Sequence, residues 1–189
     1  MLSQYRMKIL KHKESKISQN YFFIKGNLDL NCQYFIQKIE EGIKAPDNKN
    51  FQSNVQGEMT EWRYFCQDYE FAKIASKILD YCEAHNLLDK KVYLANAWGY
   101  KETFSNYTKR HSHHPGVLSG LIYLSNVDQP LIFDEINESV VPEAGNFALF
   151  SSFLYHQTKS RILDNKIKYG ISFNFYEQLD SWEFIVYNK

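Results

Sequence analysis

The chain of 189 residues is long enough to bury a full core as one domain, so its fold needs no disulfide or structural metal to hold it together. Its 22 basic and 22 acidic residues cancel, which excludes global steering toward nucleic acid or an anionic membrane, although not a local basic groove. Aromatic residues make up 16%, a content that suits strands and the lined mouths of barrels.

The odd set of cysteines, Cys32, Cys66 and Cys82, lacks C-x-x-C spacing and reads as reduced thiols. No apolar run approaches the roughly 20 residues of a membrane-spanning helix, and the N-terminus lacks the apolar core of a signal peptide. The expected location is therefore the cytoplasm. Residues 1–189 are expected to form a single domain, with helical support over 27–88 and a β core over 91–188.

In chain order, Tyr21-Phe22-Phe23-Ile24 predicts a short strand ended by Gly26. Leu30, Tyr34, Phe35, Ile39 and Ile43 follow at near-helical spacing behind capping residues between Asn27 and Asn31. Pro46 closes this helix, and residues 45–58 form a polar loop. A second helix is capped by Asp68 and carries the stripe Phe71, Ile74, Ala75, Ile78, Leu79 and Cys82, which reads as packing against a sheet.

From residue 91 the texture becomes short strands: Val92–Trp98, Phe104–Lys109, Val117–Leu124, Leu131–Phe133, Asn146–Ser151, Tyr155–Thr158, Tyr169–Phe175 and Phe184–Tyr187. Turn signals separate them, among them Pro115-Gly116, Asn126 to Pro130, Glu143-Ala144-Gly145 and Asp164-Asn165. Helices followed by many short strands predict an α+β, mainly β chain. The expected form is a jelly roll, or double-stranded β-helix, with the N-terminal helices packed on one sheet.

Three of the six histidines fall in the run His111-Ser112-His113-His114, between two predicted strands. On an extended segment, residues i and i+2 project to the same side, so His111 and His113 can reach one ion, whereas His114 faces away. His156 lies in an otherwise apolar stretch, where its ring nitrogens need partners. Imidazole suits divalent iron, zinc, copper and nickel, and three donors leave coordination positions open for chemistry. The spacing alone favours a histidine-rich surface loop, with His156 as an ordinary hydrogen-bonded strand histidine, over the metal site. Trp62, Trp98, Tyr100 and Phe104 read first as core and second as the lining of a cleft.

The ordered stretches around these residues carry a resemblance. They are His-Ser-His-His-Pro-Gly-Val-Leu-Ser-Gly-Leu-Ile-Tyr-Leu-Ser, Pro-Leu-Ile-Phe-Asp-Glu, Pro-Glu-Ala-Gly-Asn-Phe-Ala-Leu-Phe-Ser-Ser-Phe-Leu-Tyr-His and Lys-Tyr-Gly-Ile-Ser-Phe-Asn. Residues 90–176 resemble the Fe(II)/2-oxoglutarate-dependent oxygenase superfamily, and Met59-Thr60-Glu61-Trp62 does so more weakly. The narrower likeness is to a bacterial and bacteriophage branch with His-x-His, Ser-Gly-x-x-Tyr-Leu and a terminal Ser-Phe-Asn; prolyl hydroxylases are more distant. The resemblance implies Fe(II) held by His111, His113 and His156, with 2-oxoglutarate and O2 as cosubstrates. It places Lys168 and Tyr123 on the distal carboxylate of 2-oxoglutarate. Ser172 and Asn174 share a face with Lys168 on an alternating strand and are expected to line the same pocket.

One departure stands out. The superfamily's second ligand is usually a carboxylate, and this chain has His113 there, with Asp134 and Glu135 as the nearest acidic alternatives. Three neutral imidazoles leave the metal more positive before the dianion binds. The implied activity is a hydroxylase acting on a peptide side chain such as proline, in the host cytoplasm if the chain is phage-encoded. Without a basic stripe interleaved with aromatics, nucleic acid is not the expected substrate. Two other readings stand: a cupin-like metalloprotein that does not use 2-oxoglutarate, and a non-catalytic binding module with a vestigial site.

Overall fold

In a computed structural model that describes residues 6–16, 20–49, 53–162 and 165–178, side-chain alternation along long strands separates two cores. The chain opens with a hairpin, β1 (Arg6–Lys16) and β2 (Asn20–Asp29), followed by α1 (Cys32–Ile43). Then come β3 (Glu58–Met59), a 3-10 turn (Tyr64–Gln67) and α2 (Tyr69–Ala84). The remaining strands are β4 (Val92–Glu102), β5 (Leu118–Tyr123), β6 (Leu131–Phe133), β7 (Glu138–Val140), β8 (Asn146–Ser151), β9 (Gln157–Thr158) and β10 (Lys168–Glu177).

Both helices start where their capping residues predict. The Asn31 side chain accepts from the Tyr34 N–H at 3.2 Å, and the Asp68 carboxylate accepts from the Phe71 N–H at 2.9 Å. Phe35 and Ile39 of α1, with Phe71, Ile74, Ala75, Ile78 and Cys82 of α2, form the buried stripes. Among the described residues no helix is long and apolar enough to cross a membrane.

The strands make a seven-stranded sheet, β1-β2-β8-β5-β10-β4-β3, and a three-stranded sheet, β7-β6-β9. From β4 onward the chain passes back and forth between them, with β4 and β5 in the large sheet, β6 and β7 in the small, β8 in the large, β9 in the small and β10 in the large, antiparallel throughout. That alternation is a double-stranded β-helix, extended on the large sheet by the N-terminal hairpin and β3. Ile171 and Phe173 on β10, Ile122 on β5, and Phe147 and Leu149 on β8 face the helices. Tyr123, Leu121, Ala148 and Phe150 face the small sheet and meet Leu131, Phe133 and Val140 there.

Several expectations are corrected. Phe104–Lys109 does not form a strand. The Thr103 N–H turns back onto Asn106 Oδ1 at 2.7 Å and Ser105 has φ of 69°, so the chain cannot stay extended. This segment reaches the small sheet at single points, as where the Thr158 N–H donates to the Thr108 carbonyl at 3.1 Å. β2 runs through Gly26 rather than ending there. A Cβ on Gly26 would lie 2.3 Å from the Lys8 carbonyl and 2.7 Å from the Phe147 ring, so glycine permits close packing and does not break the strand. β1 and β7 were not expected from the sequence, because neither carries an apolar alternation strong enough to show. The predicted strand Phe184–Tyr187 lies outside the described residues, as does Asp164 of the last turn signal.

Gly120 on β5 faces the helix-side core. A Cβ there would stand 2.3 Å from Phe173 Cζ and 2.9 Å from Leu149 Cδ2, both fully buried. Gly120→Ala is expected to destabilise the protein by about 1–3 kcal/mol through overpacking. Urea unfolding should show a lower midpoint at an unchanged slope; an unshifted midpoint would contradict this packing.

Candidate metal centre

His111 and His113, the first two candidate ligands, sit on the irregular segment that takes the edge of the small sheet. His111 and His156 form an isolated antiparallel bridge. The His111 N–H donates to the His156 carbonyl at 3.1 Å, and the His156 N–H returns a bond to the His111 carbonyl at 2.9 Å. Two residues further on, the His113 N–H donates to the Ser152 carbonyl at 2.7 Å. This stitch holds 111–113 extended beside 152–156, so His111 and His113 project together toward His156. One nitrogen from each ring falls within 4.8 Å of the other two. Ring centroids are 4.4 Å apart for His111 and His156, 4.9 Å for His111 and His113, and 5.1 Å for His113 and His156.

Backbone carbonyls set the tautomers. His111 Nδ1 lies 2.8 Å from the Lys109 carbonyl and His156 Nδ1 lies 3.0 Å from the Leu154 carbonyl. A carbonyl only accepts, so each Nδ1 carries the proton and each Nε2 keeps its lone pair for a metal. His156 is 3% exposed and packed between Phe133 and Phe150. Burial is the main force pushing all three imidazoles below their ordinary pKa, reinforced at His113 by His111 and at His156 by both neighbours. His113 is lowered to about 3. The cluster is thus neutral at pH 7, the state in which imidazole ligates.

The acidic alternatives are engaged elsewhere. Asp134 is exposed and pairs with Lys159 at 2.6 Å while accepting from Gln157 Nε2 at 2.8 Å; Glu135 pairs with Arg110 at 2.9 Å. Among the described residues, the only group of three or more His, Cys, Asp or Glu side chains placed to share an ion is His111, His113 and His156. His114 is exposed and outside that group.

The three histidines line one side of a cavity of about 210 Å³ between the sheets. Lys168, Tyr123, Ser172 and Asn174 line it too, as the alternation of β10 and β5 requires. They do not meet at one point. Six residues of strand put Asn174 roughly 20 Å from Lys168. Asn174 donates to Asn96 Oδ1 at 2.7 Å and accepts from Ser119 Oγ at 2.6 Å, forming a polar chain at its own end. Of the aromatic candidates, Trp62, Trp98 and Tyr100 line the cavity, while Phe104 is exposed.

Lys168 is 1% exposed and Tyr123 is buried in the same region. Burial lowers the Lys168 ammonium from its ordinary pKa, and Glu102 works against that shift. Lys168 Nζ is ion-paired with Glu102 and donates to Gln129 Oε1. Sequence reasoning missed both partners. Glu102 sits directly across from Lys168 in the β10–β4 register, a relation no local pattern reveals. Gln129 lies in a stretch that reads only as a turn, yet its side-chain amide also donates to the Asn106 and Ser160 carbonyls at 2.9 and 3.0 Å.

No protein-family model matches the sequence, and no curated protein matches it. The fold is similar to that of solved structures at low identity. One is a viral collagen prolyl hydroxylase from Paramecium Bursaria Chlorella virus-1, in its 2-oxoglutarate complex (TM-score 0.64, 13% identity, 81% of this chain and 94% of that one). Another is HygX from Streptomyces hygroscopicus with nickel and 2-oxoglutarate bound (TM-score 0.60, 11% identity, 83% of each chain). A third is a prolyl hydroxylase from Trichoplax adhaerens in complex with a hypoxia-inducible-factor peptide (TM-score 0.58, 17% identity, 82% of this chain and 83% of that one). At these identities the likeness establishes the shared double-stranded β-helix.

If the three imidazoles are the ligands, His156→Ala weakens Co(II) binding by more than the roughly 10–100-fold that losing a ligand's hydrogen-bonding partner costs. Glu135→Gln and His114→Ala should leave it unchanged. Titration of the cobalt absorption bands reads all three variants, and weakened binding in Glu135→Gln would mean that the acidic residue ligates.

Proposed function

We propose that the protein is an oxygenase dependent on Fe(II) and 2-oxoglutarate. The observation that carries this reading is one cavity with three neutral imidazoles at one place and a buried lysine at another. The donor set fits the metal: the chain supplies three imidazole nitrogens on the wall of the cavity, where an ion they held would stay accessible to a cosubstrate. The lysine fits the cosubstrate, because a keto acid chelating the metal leaves a distal carboxylate that needs a cation and hydroxyl donors inside an apolar pocket.

Each residue then has a definable task. His111, His113 and His156 hold the metal, with Lys109 and Leu154 carbonyls fixing two of the rings. Lys168 neutralises the distal carboxylate, and the Tyr123 phenol, which burial keeps protonated at neutral pH, donates to it. Ser172, four residues from Lys168 on the same face of β10, lines the cavity, and we assign it to the cosubstrate's wall. Asn174, held by Asn96 and Ser119, lines the far side and is better placed toward the substrate than toward 2-oxoglutarate. Leu121, Leu131 and Phe150 give the cavity an apolar wall that disfavours water there. When bound, iron and 2-oxoglutarate supply the oxidising power toward O2, while the protein supplies position and a dry site.

The substrate class we favour is a peptide side chain such as proline, supported by the fold likeness to prolyl hydroxylases, one of them in complex with a peptide. The cytoplasm is the compartment that suits Fe(II) and the free thiols of Cys32, Cys66 and Cys82.

Purified protein given Fe(II), 2-oxoglutarate and O2 should release succinate, and His156→Ala should reduce that release to background. Lys168→Ala should bind Co(II) normally yet lose at least tenfold in succinate formation, which separates a lost cosubstrate contact from a lost fold. Succinate release unaffected by Lys168→Ala would remove Lys168 from the cosubstrate site, and bound metal without any succinate release from the unaltered protein would favour a metalloprotein of the same fold that does not use 2-oxoglutarate.

A further inference from the structure

The lysine end of the cavity is already electrically balanced. Lys168 and Glu102 face one another across β10 and β4, and both side chains are buried, with Glu102 fully so. Lys168 is ion-paired with Glu102 and donates one N–H to Gln129 Oε1, and its side chain lines the cavity. The groups facing Glu102 are the Lys168 ammonium, the Thr108 hydroxyl, and the Tyr100 and Tyr123 phenols. Both phenols are held neutral by burial, so none of these supplies a second positive charge.

A cosubstrate carboxylate arriving here therefore meets one cation and one anion. Fully ionised, the cluster of Lys168, Glu102 and ligand would carry a net negative charge away from water, an arrangement that buried carboxylates avoid by sharing a proton. The proton count does not depend on how the empty pair divides its own. An ammonium beside a carboxylate and an amine beside a carboxylic acid hold the same number of protons. Charging Lys168 and leaving only one of the two carboxylates ionised takes one more in either case.

Building on the oxygenase reading, we infer that Glu102 makes 2-oxoglutarate binding proton-coupled: each molecule bound takes one proton from solution, held between Glu102 and the ligand's distal carboxylate. Glu102 then acts as a specificity-determining residue. It disfavours the dianion at high pH while leaving keto acids without a distal carboxylate unaffected, since these never approach the pair.

Calorimetric titration of Mn(II)-loaded protein, in buffers of differing ionisation enthalpy near pH 7.5, tests this directly. About one proton should enter per 2-oxoglutarate and none per pyruvate, which shares the chelating end. Affinity for 2-oxoglutarate should fall toward tenfold per pH unit at the alkaline end, the limit for one linked proton. Glu102→Gln keeps the shape and removes the charge; its binding should lose the proton uptake, become flat in pH, and be tighter than wild type at pH 8.5. If Glu102→Gln does not fold, the wild-type proton count decides alone. Binding of 2-oxoglutarate by wild type without proton uptake would overturn the inference and leave the oxygenase reading standing. Failure of wild type to bind 2-oxoglutarate at any pH would overturn both.

Discussion

Two reciprocal backbone hydrogen bonds between His111 and His156 tie the candidate site to the fold. The segment from 103 to 113 is too irregular to be a strand, and among the described residues it touches the small sheet at single bridges. One of those bridges is made by the very residues that supply two of the three imidazoles. The His113 bond to Ser152 extends the same stitch by one register. Loosening it would release an edge of the β-helix and the ligand geometry together. Stability and the placing of the imidazoles are thus one constraint at this point, which explains how an irregular segment can hold three rings together.

Charge is handled differently at the two ends of the cavity. The histidines are kept neutral by burial, with two of them donating Nδ1–H to carbonyls, so they need no counter-ion. Lys168 cannot be kept that way at low cost, and the fold places Glu102 against it from the adjacent strand. Gln129 completes the arrangement and also pins the loops at Asn106 and Ser160, linking the cationic end to the irregular segment that leads into the histidines. A fold of two packed sheets can leave polar groups inside only where such partners exist, and β10 places two of them, Lys168 and Asn174, on its inner face with partners of their own.

Much of the architecture was legible from local pattern. Asn31 and Asp68 announce the helices because capping is a contact within three residues, and the stripe from Phe71 to Cys82 announces a buried face because helical periodicity is local too. Short strands from Val92 to Phe175 were legible where both faces are apolar enough to resist solvent, as on β5 and β8. The Phe104–Lys109 error has the opposite origin: aromatic composition favoured a strand, while the Asn106 side chain captured the Thr103 N–H and bent the chain. β7 escaped notice since its Glu138 is satisfied by Lys11 and Lys25, residues far away in sequence.

The sequence by itself determined the residue types of the site. His-x-His in an extended segment, a histidine in an apolar stretch, and a lysine on an alternating strand are readable one residue at a time, because each depends on spacing along one chain segment. Only the tertiary structure decided which of them meet. It brought His156 to His111, sent Asp134 and Glu135 to Lys159 and Arg110, separated Asn174 from Lys168, and set Glu102 against that lysine. Those outcomes depend on strand register and sheet pairing, in which a shift of a single residue moves a side chain to the opposite face. No local pattern encodes that choice.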